Sequence, residues 1–240
     1  MRDRGSAISA PPERHHRAIR FQRYVIGATL LFILLAVAAR LNPYFPLDLR
    51  ITRAVQADHG AAFDRLMAGI SWLGYPPQAW WIGGATTVTL FAAGLRWEAV
   101  ATAFAGLGIV ACGLVKMLVG RPRPAADLVQ VMREVGAFSF PSGHVVMATT
   151  FLGFLAFLTF TLLKPSAWRH LMVAILVVAI LLMGVSRIDQ GLHWFSDVVG
   201  AWLLGSVWLV LSIQFYRWGR PRFLVAGRVD AKVPAEVVAR

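Results

Sequence analysis

Six stretches of this chain are apolar over enough residues to cross a lipid bilayer, and nothing else in the sequence constrains the fold as strongly. A membrane-spanning helix needs about 20 mostly apolar residues, within a range of about 17–25. The stretches cover 24–41, 79–95, 99–119, 145–163, 171–185 and 197–215, and the second and fifth are short enough that their ends are expected to move by several residues. Hydrocarbon offers no water to the backbone, so each N–H and C=O must bond within the protein, and spans of this length are helices. Composition agrees. The chain is 58% apolar and 15% charged, against about 45–50% and about 25% for average soluble chains. The expected fold class is all-α, a polytopic membrane bundle of six transmembrane helices.

The net charge of +12 invites a nucleic-acid reading, so its distribution matters. Residues 1–23 and 216–240 together hold twelve basic and four acidic residues, which places +8 of the +12 in two tails flanking the apolar body. Basic residues concentrate on the cytoplasmic side of membrane proteins. No nucleic-acid recognition motif accompanies the charge, and no nucleic-acid partner is expected. The chain therefore divides into a basic cytoplasmic tail (1–23), a membrane domain (24–215) and a second basic cytoplasmic tail (216–240). The small residues Ala36, Ala38 and Ala39 resemble a signal-peptide cleavage site. The 23-residue tail ahead of the span favours a retained helix instead.

With both termini cytoplasmic, Arg96 and the loop holding Lys164 and Arg169 share the cytoplasmic side. The loops 42–78, 120–144 and 186–196 then face outward, from a plasma (inner) membrane location. In the first of these, Phe63, Leu66, Met67, Ile70 and Leu73 recur at helical spacing, with Trp72 suited to an interface. That pattern fits an amphipathic helix lying on the membrane or one packed on the bundle. The single cysteine, Cys112, lies in an apolar run and reads as a small buried hydrophobe.

The other outer loops carry the chemistry. Lys116 is followed after six residues by Arg123-Pro124. Pro141-Ser142-Gly143-His144 stands at the head of an apolar run. Ser186-Arg187 is followed after five residues by His193, and after three more by Asp197. Guanidinium groups bind phosphate oxygens in a two-pronged fork. A helix N-terminus presents free N–H groups to an anion, and Gly143 lets the backbone approach closely. His193 and Asp197, four apart, share a face if the last helix starts there. A carboxylate on one imidazole nitrogen leaves the other as base or nucleophile. Each piece has a plainer reading, as a helix cap, a surface ion pair or a snorkelling lysine. Two histidines and an aspartate also admit a metal, although three neighbouring cations would repel a divalent ion. What favours a site is that three anion-binding features open on one face, at the ends of different spans.

These three segments match the three-part signature of the type 2 phosphatidic acid phosphatase superfamily, over a motif region of 116–197, and the span layout resembles that family over about 24–215. The resemblance implies a metal-independent lipid phosphatase with no cofactor, whose partners are a lipid phosphate substrate and membrane lipids. Lys116, Arg123 and Arg187, with Ser142 and the Gly143 backbone, would hold the phosphoryl oxygens. His193 would attack phosphorus and form a phosphohistidine, Asp197 would orient it, and His144 would protonate the leaving group and then activate water. Undecaprenyl diphosphate stands first among the candidate substrates. A phosphotransferase of the same fold and a non-catalytic lipid-binding or transport protein are the alternatives. Asp189-Gln190 departs from the aromatic and aliphatic pair of many relatives, which bears on headgroup preference. The sequence carries no signal for oligomeric state.

Overall fold

The computed structural model describes residues 12–57, 60–133 and 136–229, and the side chains of 12–18 and 222–229 are not described. Of the two basic tails, 1–11 and 230–240 lie outside the described residues. The remainder of each tail continues a membrane helix: α1 runs Pro12–Leu41 and α10 runs Phe195–Val229. Between them lie α2 (Pro46–Val55), α3 (Ala61–Leu73), α4 (Pro76–Ala92), α5 (Arg96–Gly106), α6 (Gly108–Val119), α7 (Gly143–Met147), α8 (Gly153–Leu162) and α9 (Ala167–Asp189). No strand occurs among the described residues, only an isolated bridge between Pro122 and Phe138.

Five segments are long and apolar enough to cross a membrane: Ile19–Leu41, Arg96–Val119, Gly143–Leu162, Ala167–Asp189 and Phe195–Pro221. The second joins α5 to α6 through Leu107. The stretch expected at 79–95 forms α4, whose 17 residues extend about 25 Å at 1.5 Å per residue. Its Trp80, Trp81, Val88 and Phe91 are exposed, and only Ala79 is buried.

The bundle shows apolar side chains outward, as a lipid solvent allows. On α1, Ile26, Leu30, Leu34 and Val37 are exposed, while Ala28, Phe32 and Ala39 form one buried stripe. Lipid tails are as apolar as leucine, so cohesion comes from close packing between small residues and from buried polar bonds. Gly184 on α9 shows the first: a Cβ there would lie 2.7 Å from Trp202 and 2.8 Å from Val198 on α10. Glu98 shows the second, accepting at 2.9 Å from the Tyr216 hydroxyl, beside a 2.8 Å bond from Trp97 Nε1 to the Tyr216 carbonyl.

One core cluster fixes the motif-bearing end. Cys112, Val145, Val146, Met183, Ile188, Val198 and Ala201 pack together and lock α6, α7, α9 and α10 to each other. One turn beyond His144 the helix widens into a π turn, Ala148–Leu152. Thr149 back-bonds to the Val145 carbonyl at 2.7 Å, a contact of the kind that bends helices. The segment 42–78 contributes α2 and α3. On α3, Met67 and Ser71 are buried against the bundle while Leu66, Trp72 and Leu73 stay exposed, so the helix packs and also shows an apolar face.

Candidate active site

The site is assembled from the ends of four helices. Lys116 comes from the last turn of α6, Ser142 and His144 from the head of α7, and Arg187 from the last turn of α9. His193 sits in the short connection before α10, and Asp197 in that helix's first turn. His193 is thus not on the helix face it was expected to share with Asp197. The two groups still meet, with His193 Nδ1 at 3.5 Å from Asp197 Oδ2. Gly191 makes that connection possible. It adopts φ +65°, and a Cβ there would run into the Gln130 carbonyl.

Arg123 spans the loop around the histidine. Its Nη1 donates at 2.6 Å to the Leu192 carbonyl and stands 3.3 Å from His193 Nε2, while its Nε donates at 2.5 Å to the Gly136 carbonyl. Arginine is only ever a donor. The contact therefore favours the tautomer with the lone pair on Nε2 and the proton on Nδ1, toward Asp197. Lys116 Nζ donates at 3.0 Å to the carbonyls of Phe138 and Ser139. Burial, followed by the charges of Lys116, Arg123 and Arg187, pushes the pKa of His193 well below its ordinary value, with the Ser139 carbonyl acting weakly the other way. Its imidazole is held neutral.

Three buried polar atoms from these motifs have no partner, Ser142 Oγ, His144 Nε2 and Arg187 Nε, while His193 Nδ1 faces only the Asp197 carboxylate, at 3.5 Å. Buried polar groups are nearly always satisfied, so a cluster of exceptions calls for a ligand or a reaction. Ser142 is informative here. It occupies the N-cap position of α7, yet its side chain makes no capping bond. The plain helix-cap reading therefore does not account for it. A Cβ at Gly143 would lie 3.4 Å from Ile109 Cδ1, a tight but ordinary contact, so helix packing alone scarcely requires glycine there.

Several residues that the sequence did not single out hold this cluster. Arg121 is fully buried; its Nη1 donates at 2.6 Å to Asp197 Oδ1 and at 2.8 Å to Ser196 Oγ, and its Nη2 donates at 2.9 Å to Asp48 Oδ2. The other Asp197 oxygen accepts from the Trp194 N–H at 2.9 Å. Arg187 donates to Ser71 Oγ and, at 3.4 Å, to Gln190 Oε1, which also accepts from Ser71 at 2.9 Å. The departure at Gln190 thus bears directly on one of the three cations. Tyr75 meets the His144 ring edge-on at 5.4 Å and 88°. Burial alone would raise the phenol's pKa, but bonds from Arg133 and Ser71 and the charge of Arg187 bring it below the ordinary value.

Two apolar cavities reach His144 from either side of α4. The larger, about 580 Å³, lies against α5 and α6, and the smaller, about 280 Å³, lies against α3 and α9. Gly74 lies at their junction, where a Cβ would come within 2.5 Å of His144 Cδ2. Among the described residues no group of three or more His, Cys, Asp or Glu is placed to hold a metal ion. The carboxylate at the site is taken up by Arg121 and the Trp194 N–H.

The family model for the PAP2 superfamily matches residues 94–221, which contain all three motifs. The chain belongs to the PAP2 superfamily. Among its relatives is phosphatidylglycerophosphatase B of Bacillus subtilis, 27% identical over 197 residues, which covers 79% of this chain and 93% of that protein. An undecaprenyl-diphosphatase of Sulfolobus acidocaldarius is 34% identical over 82 residues, a match spanning 34% of this chain and only 35% of that relative. The crystal structure of the PAP2-type phosphatidylglycerolphosphate phosphatase from Bacillus subtilis superposes with a TM-score of 0.69 at 25% identity, over 80% of this chain and 94% of that one. LpxE of Aquifex aeolicus shares the fold, with a TM-score of 0.55 at 23% identity over 71% of this chain and 96% of that one.

Proposed function

We propose that this PAP2 protein is an integral-membrane lipid phosphatase that hydrolyses a lipid monophosphate or diphosphate, with undecaprenyl diphosphate the first candidate. The observation that carries the reading is the set of unpartnered buried polar atoms on Ser142, His144 and Arg187, beside the His193 imidazole and the cations of Lys116 and Arg123. Phosphoryl transfer asks little of a protein beyond positioning and charge stabilisation, and three cations around one imidazole supply both. His193 Nε2 attacks phosphorus in line, with Asp197 holding the opposite nitrogen. Ser142 and the Gly143 backbone bind non-bridging oxygens. His144, which lies where both apolar cavities meet the site, protonates the leaving lipid group. It then activates the water that releases phosphate from His193. General acid–base help of this kind contributes about 10²–10⁴-fold. The cage neutralises the phosphoryl group, and the mechanism uses no metal and no cofactor.

The same reading makes α4 the sixth span, since 17 residues lie at the lower end of the workable range of about 17–25. Six spans put both basic tails on the cytoplasmic side, and the site then opens on the outer face of the plasma membrane. The test is phosphate release by purified protein in detergent micelles, with a chelator present, across a panel of lipid mono- and diphosphates. Release from at least one lipid is expected. Strict dependence on added Mg²⁺ would overturn the metal-free mechanism, and phosphate appearing only on an added acceptor lipid would make the protein a transferase.

A further inference from the structure

Tyr75 connects the site to a cation that the mechanism above does not use. The Arg133 guanidinium lies over its ring, 4.7 Å from the centroid, and Arg187 lies 5.8 Å from the same centroid. The ring also meets His144 edge-on, at 5.4 Å. Arg133 is exposed, belongs to the outer loop between α6 and α7, and makes no ion pair with a carboxylate among the described residues. The two guanidinium carbons are no more than about 10.5 Å apart, the two centroid distances laid end to end. Two guanidinium groups over one ring repel, and an anion held between them reverses the sign of that interaction. The Tyr75 hydroxyl, 3.4 Å from Gln190 Oε1, fixes the platform on which Arg133 rests.

The direction of attack identifies that anion. In the mechanism proposed above the leaving group lies toward His144, whose ring meets the Tyr75 ring that Arg133 covers. We propose that Arg133 binds the leaving phosphate of a lipid diphosphate, so that this protein selects diphosphate over monophosphate lipids. In that reaction the Nε2–phosphorus bond forms as the bond from the terminal phosphorus to the bridging oxygen breaks. The electron pair stays on that oxygen, which departs as part of the lipid monophosphate. Arg133 takes up the charge that develops there, in the two-pronged contact that guanidinium makes with phosphate. The monophosphate of the same polyprenyl chain has only hydrocarbon beyond its ester oxygen and gives Arg133 nothing to hold.

This inference rests on the lipid phosphatase reading, and one experiment separates the two. Phosphate release is measured for a polyprenyl diphosphate and the monophosphate of the same chain, with the wild type, Arg133→Gln and Arg133→Lys. The wild type should favour the diphosphate. In Arg133→Gln the ratio of the two kcat/KM values should fall about 10- to 100-fold, the effect of losing a charge-assisted contact. Arg133→Lys should recover part of it. A ratio unchanged in Arg133→Gln, or a wild type that prefers the monophosphate, overturns the role of Arg133 while leaving the phosphatase reading intact. A wild type that releases phosphate from neither of these lipids overturns the role of Arg133, and release from no lipid of the wider panel overturns the phosphatase reading as well.

Discussion

Replacing Arg121 with methionine should damage this protein more than any change outside the reacting groups. The guanidinium is fully buried and bridges two buried carboxylates, Asp48 and Asp197, at 2.9 and 2.6 Å. It also donates to the Asn42 carbonyl at 3.3 Å and lies 5.0 Å from the Phe45 ring centroid. Methionine keeps most of the volume and removes the charge, which leaves both carboxylates without their cation. Deleting one partner of a buried ion pair costs about 3–5 kcal/mol. That is a large share of the roughly 5–15 kcal/mol that holds a typical domain together. At about 2–4 °C per kcal/mol for a chain of this size, the midpoint of unfolding should fall by about 6–20 °C. The assay is thermal unfolding in detergent micelles at one scan rate, followed by the fluorescence of the nine tryptophans. Adding Asp48→Asn to Arg121→Met should restore at least about 1 kcal/mol, because the damage comes from uncompensated charge and neighbouring sites of this kind are non-additive. A loss below about 1 kcal/mol, or a double variant less stable than Arg121→Met alone, would refute the claim that Arg121 neutralises these carboxylates.

Gly74→Ala should lower kcat about 10- to 100-fold, since a Cβ 2.5 Å from His144 Cδ2 displaces the group assigned as general acid; steady-state kinetics with unchanged turnover would argue against that placement. The acid limb of the pH–rate profile should lie below pH 6.5, because His193 has its pKa depressed and stays neutral as pH falls through the ordinary histidine range. The same depression has a consequence for stability. Below about pH 6.5 the unfolded chain takes up a proton that the folded His193 refuses, so stability should decline as pH falls. An acid limb above pH 6.5 would contradict both statements. Asp127→Cys, in the exposed outer loop, should react with an impermeant thiol reagent applied outside cells, with the native Cys112 buried and silent. Labelling only from the cytoplasmic side would invert the topology.

The sequence made one half of the site legible and hid the other, for a physical reason. Lys116, Arg123, Ser142, His144, Arg187, His193 and Asp197 stand at fixed short spacings beside apolar runs, so pattern alone finds them. Their supports do not. Asp48 and Arg121 are 73 positions apart, Ser71 and Gln190 are 119 apart, and no local periodicity records such pairs. The segment 42–78 balances its charges and reads as neutral, yet it supplies Asp48, Ser71 and Tyr75 to the site. A signal was present in Arg121, an arginine with no acidic residue beside it in sequence, two residues before Arg123 in a loop bordering a membrane span, where charge is costly unless it is paired. Helix existence was legible from apolar length, whereas the ends moved. Both α1 and α10 run on into the basic tails, and α9 begins before Leu171 and ends after Val185. Arginine and lysine stems favour helix as well as apolar residues do, so hydropathy marks the bilayer and not the helix terminus.

The central claim is that His193 carries the phosphoryl group. A single-turnover reaction with lipid radiolabelled in the phosphate, quenched in alkali to preserve phosphohistidine, tests it most directly. The account predicts transient label on the wild-type protein and none on folded His193→Ala, which should also release no phosphate. Label of equal amount on His193→Ala, or phosphate release at the wild-type rate, would contradict it.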